Sequence, residues 1–388
     1  MRFDRPPQSQ TPSKGVSIAE PFEGLTALFE DRLRESLAPS GMLFDRRRID
    51  DDWRPTRGTE GLTSTAIALI GLSRAKVEPE RVGLDPLRTL DLLIDRVDRT
   101  PSPGALGLVL WASAVWGGPP MSGLLERRAE SPGGIASMAR RLRTMELAWL
   151  VSGLVHQHRI NPSAVVRSAL AIALASLLDR FEPASRTFGH AEANSPRALR
   201  VRRWVATFAD QIYPVQALAL ASIVADDARA LDVAASGALR MAELQGALGQ
   251  WWWHYDSRDG RVSGSYPVYS VHQHGMVPMS FRTLAMAGGP DLSGAIKAGR
   301  DWLFHNELGV KLVDRQAGTI WRSIVRDEGP ARRLARHTLR LAGPRDDDRP
   351  SGSPLRLRLN RETWPYEWAW YLFASAIEAG PPSPEHLA

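Results

Sequence analysis

Apolar positions recur along this chain with the period of a helix and almost nowhere with the period of a strand. In TMELAWLVSGLVH (144–156), Leu147, Leu150, Val151, Leu154 and Val155 fall at i, i+3, i+4, i+7 and i+8, one face of a helix. The segment QIYPVQALALASIVADD (211–227) repeats this with Ile212, Val215, Ala219 and Ile223, and its Pro214 suits a first helical turn, where no N–H is needed. Similar segments at 22–37, 60–76, 86–98, 104–117, 120–129, 162–180, 229–247, 275–287, 291–308 and 364–379 bring the expectation to about twelve helices, each boundary good to ~2–4 residues. Short Gly/Pro connections favour antiparallel neighbours, hence helical hairpins. An open solenoid would show a repeat of ~34–47 residues. No such period is sustained, so the pattern predicts an all-α fold, a closed toroid of antiparallel helical hairpins. Strand patterning is confined to LVDRQAGTIWRSI (312–324) and LRLRLN (355–360), which together predict one small β-hairpin near the mouth of the ring.

Two segments lack any apolar period. Residues 1–16 and 343–354 mix proline, glycine and charge, which predicts a disordered N-terminal tail and a mobile loop. No linker divides the remainder, so 17–380 reads as a single domain, with 381–388 as a C-terminal tail. The chain has no cysteine, which excludes disulfides, thiolate nucleophiles and Cys-ligated metals. The polar start MRFDRPPQSQTPSKG is no secretory signal, and no apolar run approaches the ~20 residues of a membrane span, so a soluble cytoplasmic protein is expected. The net charge of +6 is carried by dispersed arginines interleaved with acids, the densest run being ARRLARHTLR (331–340). A nucleic-acid binder would concentrate its charge in a stripe or module, so no nucleic-acid partner is expected. An anionic small molecule or polysaccharide suits the charge equally well.

One stretch breaks the helical monotony: GQWWWHYDSRDGRVSGSYPVYSVHQHGMVP (249–278). Three consecutive tryptophans cannot all face one way, so Trp251 is expected in the core and at least one neighbour outside it. Gln245, Gly249 and Trp251 spell Q-x3-G-x-W, which resembles the QW motif of the terpenoid cyclase and protein prenyltransferase superfamily. That likeness implies an α/α toroid in which the glutamine ties helix ends together. A cyclase also needs an Asp-x-Asp-Asp acid, and the nearest run, Asp50, Asp51 and Asp52, lacks that spacing. The pattern formed by Trp253, Tyr255, Asp256, Gly260, Tyr266, Pro267, Tyr269 and His272 is similar to that of the six-hairpin, (α/α)6, carbohydrate-active proteins: unsaturated glucuronyl hydrolases, polysaccharide lyases and sugar epimerases. The resemblance implies an aromatic- and histidine-lined cleft built from loops at one end of the ring.

Sugar rings stack apolar faces on aromatic side chains, while their hydroxyls seek His, Asp, Glu and Arg. On that chemistry the candidate catalytic residues are His272, His274, Tyr266, Tyr269, Asp256 and Glu362. The candidate substrate-binding residues are Trp252, Trp253, His254, Tyr255, Tyr213, Asp52, Trp53, Arg57, Tyr366 and Glu367. His272 and His274, read as i, i+2 in an extended loop, would share a face. A metal would need a third ligand, and H-E-x-x-H is absent, so neither metal nor cofactor is expected. Glu362, Pro365, Tyr366 and Glu367 read as the first turn of the last helix, where acids gain from the helix dipole. Ring closure would bring that turn beside the 46–61 loop and the 253–274 loop. G-x-x-x-x-G-K-[ST], G-x-G-x-x-G and G-x-S-x-G are absent. The sequence therefore reads as an enzyme acting on an acidic glycan by hydrolysis, elimination or epimerisation, with a small-molecule or glycan substrate and an open oligomeric state. A terpenoid cyclase-like enzyme and a non-catalytic scaffold of glycan assembly stand as alternatives.

Overall fold

The computed structural model describes residues 24–49, 52–56, 60–99, 104–131, 133–225, 227–329 and 355–379. Both expected tails, the 343–354 loop, the basic run at 331–340 and residues Asp50, Asp51 and Arg57 lie outside the described residues. In chain order the helices are α1 (Leu25–Glu35), α2 (Leu62–Ala75), α3 (Pro86–Arg99), α4 (Leu106–Val115), α5 (Ser122–Glu130), α6 (Gly134–Arg141), α7 (Thr144–Ile160) and α8 (Ala164–Leu178). They continue with the single turn α9 (Arg197–Arg200), then α10 (Phe208–Ala225), α11 (Ala228–Glu243), α12 (Val277–Met286), α13 (Ser293–Trp302) and α14 (Pro365–Ala379).

Six of these close a ring. α2 packs on α4, α4 on α7, α7 on α10, α10 on α12, α12 on α14, and α14 returns to α2. The others lie outside: α3 against α2 and α4, α8 against α7, α11 against α10 and α12, α13 against α12, α1 against α14. Sequence separates the layers. Inner α4, LGLVLWASAV, is buried continuously from Leu106 to Ser113. Outer α3, PLRTLDLLIDRVDR, buries only Thr89, Leu90, Leu93 and Val97 and turns its charges outward. Glycine permits the closest inner contacts. A Cβ at Gly71 would stand 2.4 Å from the Ala369 carbonyl oxygen, where α2 meets α14, and one at Gly153 would stand 2.1 Å from that of Gly107, where α7 meets α4. By length and composition α10 is apolar enough to cross a membrane, but 78% of it is buried as an inner helix.

Short strands decorate the end of the ring where the inner helices begin. They are β1 (Arg46–Ile49), β2 (Asp52–Pro55), β3 (Phe181–Glu182), β4 (Thr187–Phe188), β5 (Val205–Thr207), β6 (His254–Asp256), β7 (Arg261–Gly264), β8 (Val268–Tyr269), β9 (Val313–Asp314), β10 (Thr319–Ile320), β11 (Ser323–Arg326), β12 (Leu357–Asn360) and β13 (Glu362–Thr363). The expected single hairpin is replaced by two sheets. β9 pairs with β10, whereas β11 lies between β12 and β8. Strands shorter than five residues carry too little alternation to announce themselves, which is why β1, β2 and β5 to β8 escape the pattern.

Three further expectations are corrected. Pro214 sits well inside α10, six residues after its first position, rather than in the first turn. His272–Met276 form a π-helical turn leading into α12, not an extended loop, so His272 and His274 do not share a face. Glu362 belongs to β13 and lies outside α14.

Candidate active site

The N-terminal ends of the inner helices surround a cavity of about 190 Å³. α2 supplies Thr63 and Ile67, α7 supplies Met145 and Trp149, α10 supplies Ala209 and Tyr213, the π turn supplies His272 and Met276, and α14 supplies Tyr366. Trp253, Tyr269 and Arg322 complete the wall from the strands above. Each is placed by local pairing. The Phe208 N–H, at the start of α10, donates to the Trp253 carbonyl at 2.9 Å, and the Ser270 N–H donates to the Arg322 carbonyl at 2.9 Å. β8 pairs with β11 through Tyr269 and Ser323. Glu362 and Thr363 of β13 pair with Arg47 and Arg46 of β1, and Ile49 of β1 pairs with Asp52 of β2. The 52–55 strand, the 362–366 turn and the 253–272 stretch therefore meet at one end of the ring.

Arg322 is the charged centre of this wall. Its Nη1 donates to Glu367 Oε1 at 2.5 Å and its Nη2 to the Tyr366 hydroxyl at 3.4 Å. Its Nε lies 3.9 Å from Glu362 Oε2. The guanidinium is 3.5 Å from the Trp364 ring centroid and 5.0 Å from that of Tyr269. Burial pushes the Glu367 carboxyl up to about 7, against the pull of Arg322 and of the hydrogen bond from the Trp364 N–H. Asp45, half-buried beside Ser64, is likewise pushed up to about 6 by burial, with Arg322 and the Ser64 hydroxyl opposing. Burial and the surrounding charges leave the Tyr269 and Tyr366 hydroxyls above their ordinary value, so both stay protonated.

His272 stacks on Phe208 at 4.0 Å and lies parallel to Trp253 at 6.0 Å. Burial holds it well below the usual imidazole range, with Arg322 and His274 adding to the effect and a hydrogen bond to the Trp251 backbone opposing it. It is therefore neutral at physiological pH. Its Nδ1 has no hydrogen-bond partner among the described residues.

Of the residues singled out in the sequence, Tyr213, Trp253, Tyr269, His272 and Tyr366 line the cavity. Glu362 and Glu367 flank its arginine. The rest stand elsewhere. Asp256, fully buried on β6, is held by Arg258 through Nε at 3.0 Å and Nη2 at 2.7 Å. His274 faces Tyr371 and is pushed down to about 3 by burial, with Arg300 adding to it. Tyr266 packs edge-on against Trp252. His254 and Tyr255 are buried in β6. Trp53 tilts against Trp321, and Asp52 is an exposed partner of Arg54. Trp251 is fully buried, against Phe208 and Phe281. Gln245 Nε2 donates to the carbonyls of Gly249 at 2.7 Å and Ala295 at 3.0 Å, joining the end of α11 to α13.

Sequence reasoning misses Arg322, Asp45 and Trp149. Arg322 sits in the strand segment that the pattern assigns to the mouth, but one arginine among many carries no mark. Trp149 does carry one: it lies off the apolar face of its helix, which tells that both faces of α7 are covered.

No family model and no curated protein matches the chain. Solved structures do. An unsaturated glucuronyl hydrolase specific for heparin aligns with a TM-score of 0.61 at 12% identity, covering 93% of this chain and 97% of that one. The unsaturated glucuronyl hydrolase of Bacillus sp. GL1, responsible for the degradation of glycosaminoglycan, aligns with a TM-score of 0.57 at 12% identity over 92% and 95%. An α-1,6-mannanase of Salegentibacter sp. HEL1_6, an inactive variant bound to α-1,6-mannotriose, aligns with a TM-score of 0.53 at 12% identity over 92% and 98%. The chain thus has the (α/α)6 toroid fold expected from its sequence.

Proposed function

We propose that the protein is a carbohydrate-active enzyme that takes the terminal ring of an acidic glycan into the mouth of its toroid and hydrolyses the bond behind it. The observation that carries this reading is the cavity itself: aromatic walls from five different elements around a single buried arginine. At about 190 Å³ it falls below the ~300–1,000 Å³ of sites for drug-sized ligands, which suits one sugar ring rather than a long chain segment. Trp253, Tyr269 and Trp149 offer ring faces for stacking, and Arg322 offers the cation for a uronate. The fold shared with glucuronyl hydrolases and a mannanase agrees with the chemistry.

The available proton donors favour hydrolysis over elimination. Elimination needs a base, but Tyr269 and Tyr366 resist ionisation and burial makes His272 a weak base. Asp45 stands behind the lining residues, its carboxyl accepting from Ser64 Oγ at 3.4 Å next to Thr63 of the wall. Burial raises it to about 6, so it holds its proton at mildly acidic pH and is the carboxyl we assign to protonating the leaving oxygen. Glu367 and Glu362 hold Arg322 in place. The isoprenoid alternative needs an acid at the bottom of the cavity, where instead Tyr213 accepts a hydrogen bond from Trp370 Nε1 at 2.8 Å.

A non-catalytic glycan-binding scaffold is the second reading, favoured by the burial of Trp251, His254, Tyr255 and His274 within the same aromatic stretch. The test is incubation with a panel of saturated and unsaturated uronate-containing oligosaccharides, reading new reducing ends and double-bond absorbance. New reducing ends without new double bonds support hydrolysis, whereas new double bonds would establish elimination. Saturable binding without turnover would establish the scaffold, and silence in binding and turnover alike would overturn both readings.

A further inference from the structure

The ring has a second cavity at its opposite end, where α2, α4 and α7 finish. It measures about 90 Å³, far above the ~10–15 Å³ that admits a single water and half the size of the mouth cavity. Arg74 and Lys76 line it from the end of α2, with Trp111 from α4, His156 from α7 and Phe373 from α14. An aromatic partition separates the two cavities: Trp370 lies 6.0 Å from Trp111 on one side and donates to Tyr213 on the other. We propose that this far-end cavity binds a phosphate- or sulfate-type oxyanion, as the free ion or as the ester group of a larger molecule.

Among the described residues the charge there is uncompensated. Arg74 is half-buried, 5.7 Å over the Phe373 ring, and makes no hydrogen bond or ion pair among the described residues. No described carboxylate lines the cavity. A guanidinium carries five N–H donors in a planar fork that matches an oxyanion. Burial alone accounts for the lowered affinity of Arg74 for its proton, which is what a cation without a counter-ion shows. Trp111, fully buried and stacked on His156 at 4.6 Å, gives the cavity an aromatic wall.

The bland alternative is that Arg74 merely completes the C-terminus of α2. Basic residues in a last turn gain from the helix dipole, but each terminus presents only about half a negative charge. The carbonyls at these ends are also already engaged: the Lys76 N–H caps Leu72 and Ser73, and the Ser73 hydroxyl donates to Val115. Two full positive charges against the half-charges of the α2, α4 and α7 termini, about −1.5 in all, still leave the cavity positive. It is too small for a sugar ring, and the exposed Lys76 at its rim leaves a path for the ester group of something larger.

The test is calorimetric titration of the full chain with inorganic phosphate, sulfate and glycerol 2-phosphate at low ionic strength. The expected result is one saturable site per chain. Arg74→Gln should weaken it at least about tenfold, since a charge-assisted hydrogen bond is lost, and Lys76→Gln should weaken it severalfold. Arg74→Lys should recover part of the loss, and melting curves of the three variants should stay within a few degrees of the parent. Equal affinity for glycerol 2-phosphate and phosphate would assign the site to an ester group, and a clear preference for the free ion would assign it to inorganic phosphate or sulfate. Absence of saturable binding, or binding unchanged in folded Arg74→Gln, would overturn the proposal. Because none of these residues touches the mouth, failure here leaves the glycan reading standing, and the reverse also holds.

Discussion

Two buried carboxylates occupy the same position in the fold and behave oppositely. Asp210 and Glu367 are each the third residue of an inner helix, α10 and α14, and each reaches back to the N–H that precedes the helix. Asp210 is saturated with donors: the Met145 N–H at 3.0 Å, the Thr207 N–H and hydroxyl at 2.9 Å each, and His190 Nδ1 at 2.8 Å. Burial alone would raise its proton affinity, but His190 and these donors hold it below the ordinary carboxylate range. Glu367 has one backbone N–H at 3.3 Å and the Arg322 guanidinium, and burial wins. Donor count, more than burial, separates a carboxylate that welds two helix ends together from one left poised to titrate. Only the second is paired with an arginine of the cavity wall.

The largest expected effect breaks the welded site. Asp210→Ala strands two backbone N–H groups, a hydroxyl and a buried imidazole, and should cost about 3–5 kcal/mol, as removal of one partner from a buried pair does. Denaturant melts of the purified variant measure it. A loss under about 1 kcal/mol would show that Asp210 and Glu367 do not differ in the way their donors indicate.

The next effect is a difference in sign. Glu367 titrates near its ordinary value when unfolded and near 7 when folded. The folded chain therefore binds that proton more tightly, and its contribution to stability falls as pH rises from about 4.5 to 7. Asp210 has the opposite sign, its contribution being lost only in strong acid. His272 and His274, buried neutral, destabilise the fold below the ordinary imidazole value, so a raw pH profile mixes several titrations. The quantity to read is parent minus Glu367→Gln. That difference should decline by roughly 3 kcal/mol between pH 4.5 and 7, because each tenfold difference in proton affinity is worth ~1.4 kcal/mol. Above pH 8 it should be flat. A flat difference across the whole range would place the Glu367 proton elsewhere.

The same contrast explains what was legible in the sequence. Helix positions and ring closure could be read because 3.6-residue periodicity is a long-range average over many side chains, as in α7 and α3. The convergence of Trp253, Tyr269, His272 and Tyr366 could be read because aromatics concentrated in two stretches of an otherwise aliphatic chain. The roles of Asp256, Glu367 and Asp45 could not. Asp256 and Glu367 are both acids beside aromatic residues in the sequence, and only folding ties one to the arginine two residues on and the other to an arginine of the cavity wall. Asp45 lies in an arginine-rich segment whose significance depends on pairing with residues more than 300 positions away.

His272 tests the mouth with a smaller cost. From the sequence it reads as part of an extended loop, but it is buried and stacked between Phe208 and Trp253. His272→Ala should therefore lose about 2 kcal/mol as well as glycan affinity, since stacked buried rings contribute beyond their area. His272→Phe should restore most of the stability but not the affinity. Equal recovery of both would make the imidazole a packing element only.

Glu362→Gln should produce the smallest change and decide the most about the reaction. Its carboxylate is 3.9 Å from Arg322 Nε and partly open to solvent, a geometry that contributes little to stability, so the melt should move by no more than about 0.5 kcal/mol. The backbone role of residue 362, accepting from the Arg322 N–H at 3.2 Å, survives the substitution. Removing a carboxylate that competes for Arg322 should tighten binding of a uronate-ended oligosaccharide about two- to threefold, in proportion to a weak ion pair. Turnover should stay within about threefold of the parent, whereas Asp45→Asn should abolish it, since the proton donor would be gone. If instead Glu362→Gln abolishes turnover and Asp45→Asn spares it, the acid of the reaction is Glu362, and Arg322 holds the proton donor rather than the substrate.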